Sequence, residues 1–173
     1  MKAPVITWIT RLVIVAAASQ WAWGCGESSS DQLLASAREA ARKAAADSAA
    51  ATDAATQLGR FLAEFPDHPE AAEALKMLAM LTQQRGDMAG AIAHYERLLR
   101  DYPDSDAADE AQFMIGFICE EHLRDFERAR QAYQRVIDRY PDSELAANAR
   151  RLLPHVGQPP EEWVRFQEGT ETP

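Results

Sequence analysis

The chain has 173 residues, of which 47% are hydrophobic and 8% aromatic, enough for a targeting segment and one domain with a core of mostly small side chains. Its 18 basic and 27 acidic residues give a net charge of −9. This balance, with no basic cluster, argues against binding to nucleic acid and against electrostatic attraction to anionic lipid, because both need clustered Lys and Arg.

The first 24 residues have the pattern of an export signal. Lys2 and Arg11 are positively charged, residues 12–18 form a short apolar run, and small residues precede Cys25. The run is shorter than the roughly 20 residues that span a bilayer. The segment has no acidic residue, so its removal would change the net charge from −9 to −11.

The segment Ala22-Trp23-Gly24-Cys25 resembles the lipobox of bacterial lipoproteins. This resemblance implies that Cys25 is lipidated after cleavage and that residues 25–30 form the anchored tether. Gly26 stands where some lipoproteins carry an Asp that retains them in the inner membrane, which favours the outer membrane. Two alternatives are ordinary cleavage, leaving a soluble protein with a free Cys25, and a retained N-terminal anchor.

Three segments then repeat one pattern, which is Ala, a large apolar residue four positions later, an apolar residue after three more, and Pro after another five. They begin at Ala54, Ala91 and Ala129. Apolar residues three and four apart predict amphipathic helices, which must end at each Pro. We therefore predict helical repeat units at 31–66, 69–103 and 106–141, a capping helix at 143–153, and a Pro-containing tail at 154–173.

The helix starts are predicted from short polar side chains that can accept hydrogen bonds from free backbone N–H groups. Asp104 or Ser105 is expected to cap the helix after Pro103, and Asp125 to start its partner. Asp31 is expected to cap an Ala-rich helix that continues to about Ala50. That helix is either the first half of a degenerate repeat, which we favour, or a solvated helix that precedes the repeats.

The repeat positions resemble those of the tetratricopeptide repeat (TPR) family, which has a small residue in the first helix, Ala and an aromatic residue in the second, and a closing Pro. The matching residues are Ala79, Ala91, Tyr95 and Pro103, then Gly116, Ala129, Tyr133 and Pro141, with one extra residue in the turn at 121–125. The resemblance implies an all-α solenoid of antiparallel helical hairpins. The longer first helices resemble envelope lipoproteins of the BamD type and the Tol–Pal-associated cell-division coordinator.

No constellation of residues indicates catalysis, a cofactor or a metal. The four histidines are scattered, and no nucleophile–base pair or phosphate-binding loop is present. His68 and His94 are expected to be solvated, and Cys119 to be a small core residue.

In TPR domains the first helix of each hairpin lines a concave groove that binds peptides. The resemblance places ten residues there: Glu73, Lys76, Met80, Gln83, Gln84, Glu110, Phe113, Phe117, Glu120 and Glu121. Phe113 and Phe117 are the main reason to expect binding of a peptide with apolar and basic groups. Alternatively, the Ala-rich helix or the tail with Trp163 fills the groove.

The sequence thus predicts a non-catalytic, lipid-anchored adaptor on the periplasmic side of the cell envelope, which binds a protein or peptide in envelope assembly or cell division. The alternative is a structural subunit that associates with itself and has no peptide client. The sequence does not specify the oligomeric state or the partner.

Overall fold

The computed structural model describes residues 29–44 and 47–158. The expectations for the export signal, Cys25 and Trp163 fall outside these residues. Within the described part the chain forms α-helices and contains no strand. The helices are α1 (Ser29–Lys43), α2 (Ser48–Glu64), α3 (Ala71–Gln84), α4 (Met88–Asp101), α5 (Ala108–Ile118), α6 (Phe126–Arg139) and α7 (Glu144–Leu152). The predicted all-α solenoid is confirmed.

The helices pair as three hairpins, α1 with α2, α3 with α4, and α5 with α6. Each hairpin packs on the next through its second helix, and α7 packs against α5 and α6 at the end of the stack. One continuous core runs through all three hairpins and includes Leu58, Leu75, Leu98 and Val136. Each hairpin therefore buries the apolar face of its neighbour, as expected for a solenoid.

In the third hairpin a small residue on the first helix faces an aromatic ring on the second. A Cβ atom added to Gly116 would lie 2.7 Å from Cε1 and 2.8 Å from Cδ1 of Tyr133. Both residues are buried, as are Ala79 and Tyr95 at the equivalent positions of the second hairpin. The small residue on the first helix thus leaves room for the aromatic side chain on the second.

The extra residue of the third hairpin is accommodated by a change of helix type. After α5 the chain continues as a π-helical turn at Cys119–Leu123, which Arg124 ends in a left-handed conformation at φ 56°. The backbone N–H of Asp125 donates to the carbonyl of Cys119. A π-helical turn holds one more residue per hydrogen-bonded turn than an α-helix, so it takes up the extra residue while Gly116 still faces Tyr133.

The predicted Ala-rich helix from Asp31 to about Ala50 is wrong, because α1 ends at Lys43. Asp47 has an extended backbone, and its side chain accepts a hydrogen bond from the N–H of Ala49 at 2.8 Å. This cap starts a separate helix that folds back on α1. High helix propensity on both sides of the break concealed it in the sequence.

Two other expectations concern helix starts. Asp87, Asp125 and Ser143 cap α4, α6 and α7 through their side chains. The expected capping of α5 by Asp104 or Ser105 is wrong, because α5 begins at Ala108 after Ala107, with no side-chain cap. A tight turn, in which the N–H of Ala108 donates to the carbonyl of Ser105, provides the entry to the helix instead.

The first residues of the expected tail belong to the stack. A 3-10 turn, Leu153–His155, follows α7, and Val156 is buried. The carbonyl of Val156 accepts from Arg130 on α6 at 2.9 Å. The N–H of Gly157 donates to Oε1 of Glu120 at 3.3 Å. These contacts hold the end of the described chain against the third hairpin.

Candidate partner-binding groove

Two adjoining cavities lie along the first helices of the hairpins. The first, of about 410 Å³, lies between α1 and α3. The second, of about 270 Å³, lies between α3 and α5 and reaches the start of α4. Because Met80 and Gln84 line both, the cavities form one groove. It lies along the first helices of the hairpins, where the TPR resemblance predicts a binding surface.

Methionine is the distinctive component of this groove. The chain has five methionines, and every one after Met1 lines one or both cavities, namely Met77, Met80, Met88 and Met114. Met80 is 42% exposed, although it is apolar. Methionine side chains are flexible and polarisable, and they are common on surfaces that adapt to a bound protein. The surface of both cavities is thus mainly apolar, with flexible methionine side chains between polar ones.

Charged residues join neighbouring hairpins along the groove. Arg38 on α1 pairs with Glu70 at the start of α3. Lys76 on α3 contacts Glu73 on its own helix and Glu110 on α5, each at 2.9 Å. Burial alone would lower the pKa of Lys76, but its bonds to the two carboxylates raise it. Lys76 thus remains charged, and its ammonium group is bonded to the carboxylates of Glu73 and Glu110.

The tyrosines at equivalent repeat positions differ in their hydrogen bonding. Tyr133 donates its hydroxyl to Oε2 of Glu120 at 3.0 Å. The residue equivalent to Glu120 in the second hairpin is Gln83, and the buried hydroxyl of Tyr95 has no hydrogen-bond partner among the described residues. Burial, with a smaller contribution from Glu110, raises the pKa of Tyr95 to about 12. The second cavity therefore has a protonated, unpaired phenol in its wall.

Of the ten groove residues expected from the sequence, five line the two cavities: Glu73, Met80, Gln83, Gln84 and Glu110. Phe113 is half-buried, with its ring 5.3 Å from that of Tyr133, whereas Phe117 is exposed beside His122. Neither aromatic residue lines these cavities. The carboxylate of Glu120 accepts hydrogen bonds from Tyr133 and Gly157, and Glu121 is exposed.

Sequence reasoning missed several groove residues, which are Arg38, Ala41 and Arg42 on α1, with Met77, Leu81, Met88, Tyr95, Met114 and His122. The α1 residues were missed because α1 was expected to be longer. The start of its partner helix α2 was not recognised in the sequence. The methionines carried a usable signal, since all of them after Met1 fall within two successive repeat units.

The two histidines expected to be solvated are partly buried. The His68 side chain is 19% exposed, stacks edge-on against Phe61 and accepts a hydrogen bond from the N–H of Glu70. Burial, with a smaller effect of Arg97, lowers the pKa of His94. Their positions in a turn and a helix did not reveal this partial burial. Cys119 is buried as expected, and burial raises the pKa of its thiol.

The described residues show no group of three or more His, Cys, Asp or Glu side chains arranged to hold a metal ion. In the same part of the chain, no helix has the length and apolar character needed to cross a membrane.

Comparison with known families identifies the chain. Residues 38–157, more than half of the sequence, match the YfiO family, described as outer membrane lipoprotein. The chain belongs to this family. The resemblance to BamD-like lipoproteins of the TPR type is thereby confirmed. YfiO proteins are non-catalytic lipoproteins of the bacterial cell envelope. No curated protein matches the sequence.

The tyrosine pair gives a test of the groove geometry. We predict that Tyr133→Phe lowers the free energy of unfolding by about 1–3 kcal/mol, because it removes a hydrogen bond to a carboxylate. Tyr95→Phe should cause a loss of less than about 0.5 kcal/mol or a small gain, because it removes an unpaired buried hydroxyl. Urea unfolding of both variants measures the difference. Equal losses in the two variants would contradict the assigned hydrogen bonds.

Proposed function

We propose that this YfiO-family protein is a lipid-anchored adaptor on the periplasmic side of the outer membrane, which binds a partner protein in the groove along α1, α3 and α5. The observation that carries the proposal is the presence of every methionine after Met1 in that groove. An accessible apolar groove with flexible walls suits an extended or helical protein segment.

The charge around the groove supports a partner segment with basic groups. Glu73 and Glu110 share one cation, Lys76, and Glu121 is exposed near the end of α5. Arg38 and Arg42 line the first cavity, so the carboxylates that a basic segment could approach are those on the α5 side, at Glu110 and Glu121. A segment that places apolar side chains among the methionines and Lys or Arg beside these carboxylates would complement both features.

The anchor and the groove are close along the chain. Ser29, the first residue of α1, is four residues after Cys25, so the two are at most about 14 Å apart in a fully extended tether. We propose that lipidation of Cys25 holds the N-terminal end of α1 near the membrane surface. The groove, which begins beside Arg38 and Arg42, would then be accessible to proteins at that surface.

A charge placed in the groove tests the proposed adaptor role. Met80→Glu puts a carboxylate where the two cavities meet, so partner affinity should fall at least about tenfold, because burying an unpaired charge is costly. Affinity purification from native membranes followed by quantitative mass spectrometry measures the recovered partners. Helicity should not change, because Met80 is 42% exposed.

The matched control is Leu123→Glu, which places the same charge on a residue that is 44% exposed and lies outside both cavities. It should recover partners as well as the unaltered protein does. Equal recovery by Met80→Glu and Leu123→Glu would exclude this groove as the binding surface.

The anchor has its own test. We predict that labelled fatty acid is incorporated into the unaltered protein and not into Cys25→Ala. Cys119→Ala serves as the control and should retain the label, because Cys119 is buried in the core. Incorporation into Cys25→Ala would show that this cysteine is not the anchor.

A further inference from the structure

The first cavity, between α1 and α3, combines an apolar surface with two arginines on one side. The apolar surface is formed by Ala41, Met77, Met80 and Leu81. Arg38 and Arg42 come from α1, and among the described residues they are the only Arg or Lys that line either cavity of the groove. The volume of about 410 Å³ leaves room for a large apolar side chain. The cavity therefore suits an apolar group with a negative charge beside it.

Arg42 has the guanidinium group that the protein compensates least. Its side chain is 79% exposed, and its ion pair within the described part of the chain is with Glu39, at 3.8 Å. Lys43 lies closer to the same carboxylate, at 3.1 Å. Arg38, by contrast, is paired with Glu70. A guanidinium group has five N–H donors in a planar fork that matches the two oxygens of a carboxylate. Arg42 can therefore bind an external carboxylate without first breaking a short ion pair.

The charge along the groove changes sign from α1 to α5. In the wall of the first cavity, the carboxylate of Glu73 is bonded to Lys76 at 2.9 Å. In the second cavity, Glu110 is part of the wall, and Glu121 is exposed in the π-helical turn after α5. Lys76 is shared between Glu73 and Glu110, so its single charge does not neutralise both. A segment that crosses both cavities therefore meets a cation at α1 and carboxylates at α5.

We propose that the first cavity holds a large apolar side chain of the bound protein segment, and that Arg42 binds the side-chain carboxylate of an Asp or Glu next to it. This inference rests on the proposed adaptor function and adds the direction of binding. The acidic end of the segment lies against α1, and its basic end lies beside Glu110 on α5. The reverse direction would bring like charges together at both ends, so the groove binds the segment in one direction.

Peptides selected from a random library test the predicted chemistry. A library of short synthetic peptides with blocked termini is selected on the full chain recovered from membranes. The peptides whose binding is weakened by Met80→Gln are sequenced, because this variant makes the groove polar without a charge that would bias the selection. We expect Asp or Glu next to Leu, Met or Phe in these peptides. An absence of acidic residues would overturn the inference and leave the proposed function standing, whereas finding no peptide that depends on Met80 would contradict both.

An exchange of charge between Arg42 and one selected peptide tests the contact itself. The peptide is labelled with fluorescein, and its affinity is measured by fluorescence anisotropy. Arg42→Glu should weaken binding by about tenfold to a hundredfold, the effect of losing a hydrogen bond between charged groups. The protein should remain folded, because Arg42 is on the surface of α1. A peptide with Lys in place of its acidic residue should bind Arg42→Glu more tightly than it binds the unaltered protein.

The matched control is Lys43→Glu, which makes the same change of charge at the next residue. Lys43 is 65% exposed and lines neither cavity, so the variant should weaken binding by less than about fivefold. Equal losses in Arg42→Glu and Lys43→Glu would overturn the assigned contact.

Photocrosslinking from the two ends of the same peptide tests the direction of binding. A benzophenone group at the acidic end should attach to α1, and one at the basic end should attach to α5 or to the π-helical turn. Mass spectrometry of the digested products locates the attachment. Attachment of the acidic end to α5, or of both ends to one helix, would overturn the proposed direction.

Discussion

The close contact between Gly116 and Tyr133 is the constraint on which the third hairpin depends. Because Gly116 has no side chain, the Tyr133 ring can lie 2.7 Å from the position that a Cβ atom of residue 116 would take. This approach brings the Tyr133 hydroxyl to Glu120, whose other oxygen accepts from Gly157. Glu120 thus links α6 and the end of the described chain to the π-helical turn. Ala79 and Tyr95 hold the equivalent positions in the second hairpin.

The same repeat geometry gives the buried tyrosine a hydrogen-bond partner in one hairpin and leaves it without one in another. In the third hairpin the buried hydroxyl of Tyr133 donates a hydrogen bond to Glu120, so both polar groups have a partner within the hairpin. In the second, Gln83 stands at that position, and the phenol of Tyr95 remains unpaired in a cavity with three methionines. A buried polar group without a partner reduces stability. The proposed binding function therefore lies where the repeat is less well satisfied, a common location for functional sites.

Much of the architecture could be predicted because it depends on local sequence. Pro103 and Pro141 end helices, and Asp87, Asp125 and Ser143 cap them, through backbone chemistry that requires no neighbouring hairpin. The break at Asp47 was missed because Ala-rich sequence on both sides favours helix equally. The groove was predicted only in part, because Met88, Met114 and Tyr95 enter it from different helices. Their meeting depends on how the hairpins stack, which repeat spacing alone does not specify.

The central claim, that a small residue facing an aromatic ring sets the helix spacing, is tested most directly by the unfolding free energy of Gly116→Ala. The added Cβ would lie 2.7 Å from the Tyr133 ring, so we expect a loss of about 1–3 kcal/mol. Gly59→Ala is the control, because nothing lies within 4 Å of its added Cβ, and Ala at this exposed position of α2 should stabilise the protein by up to about 1 kcal/mol. A Gly116→Ala protein as stable as Gly59→Ala would contradict this account.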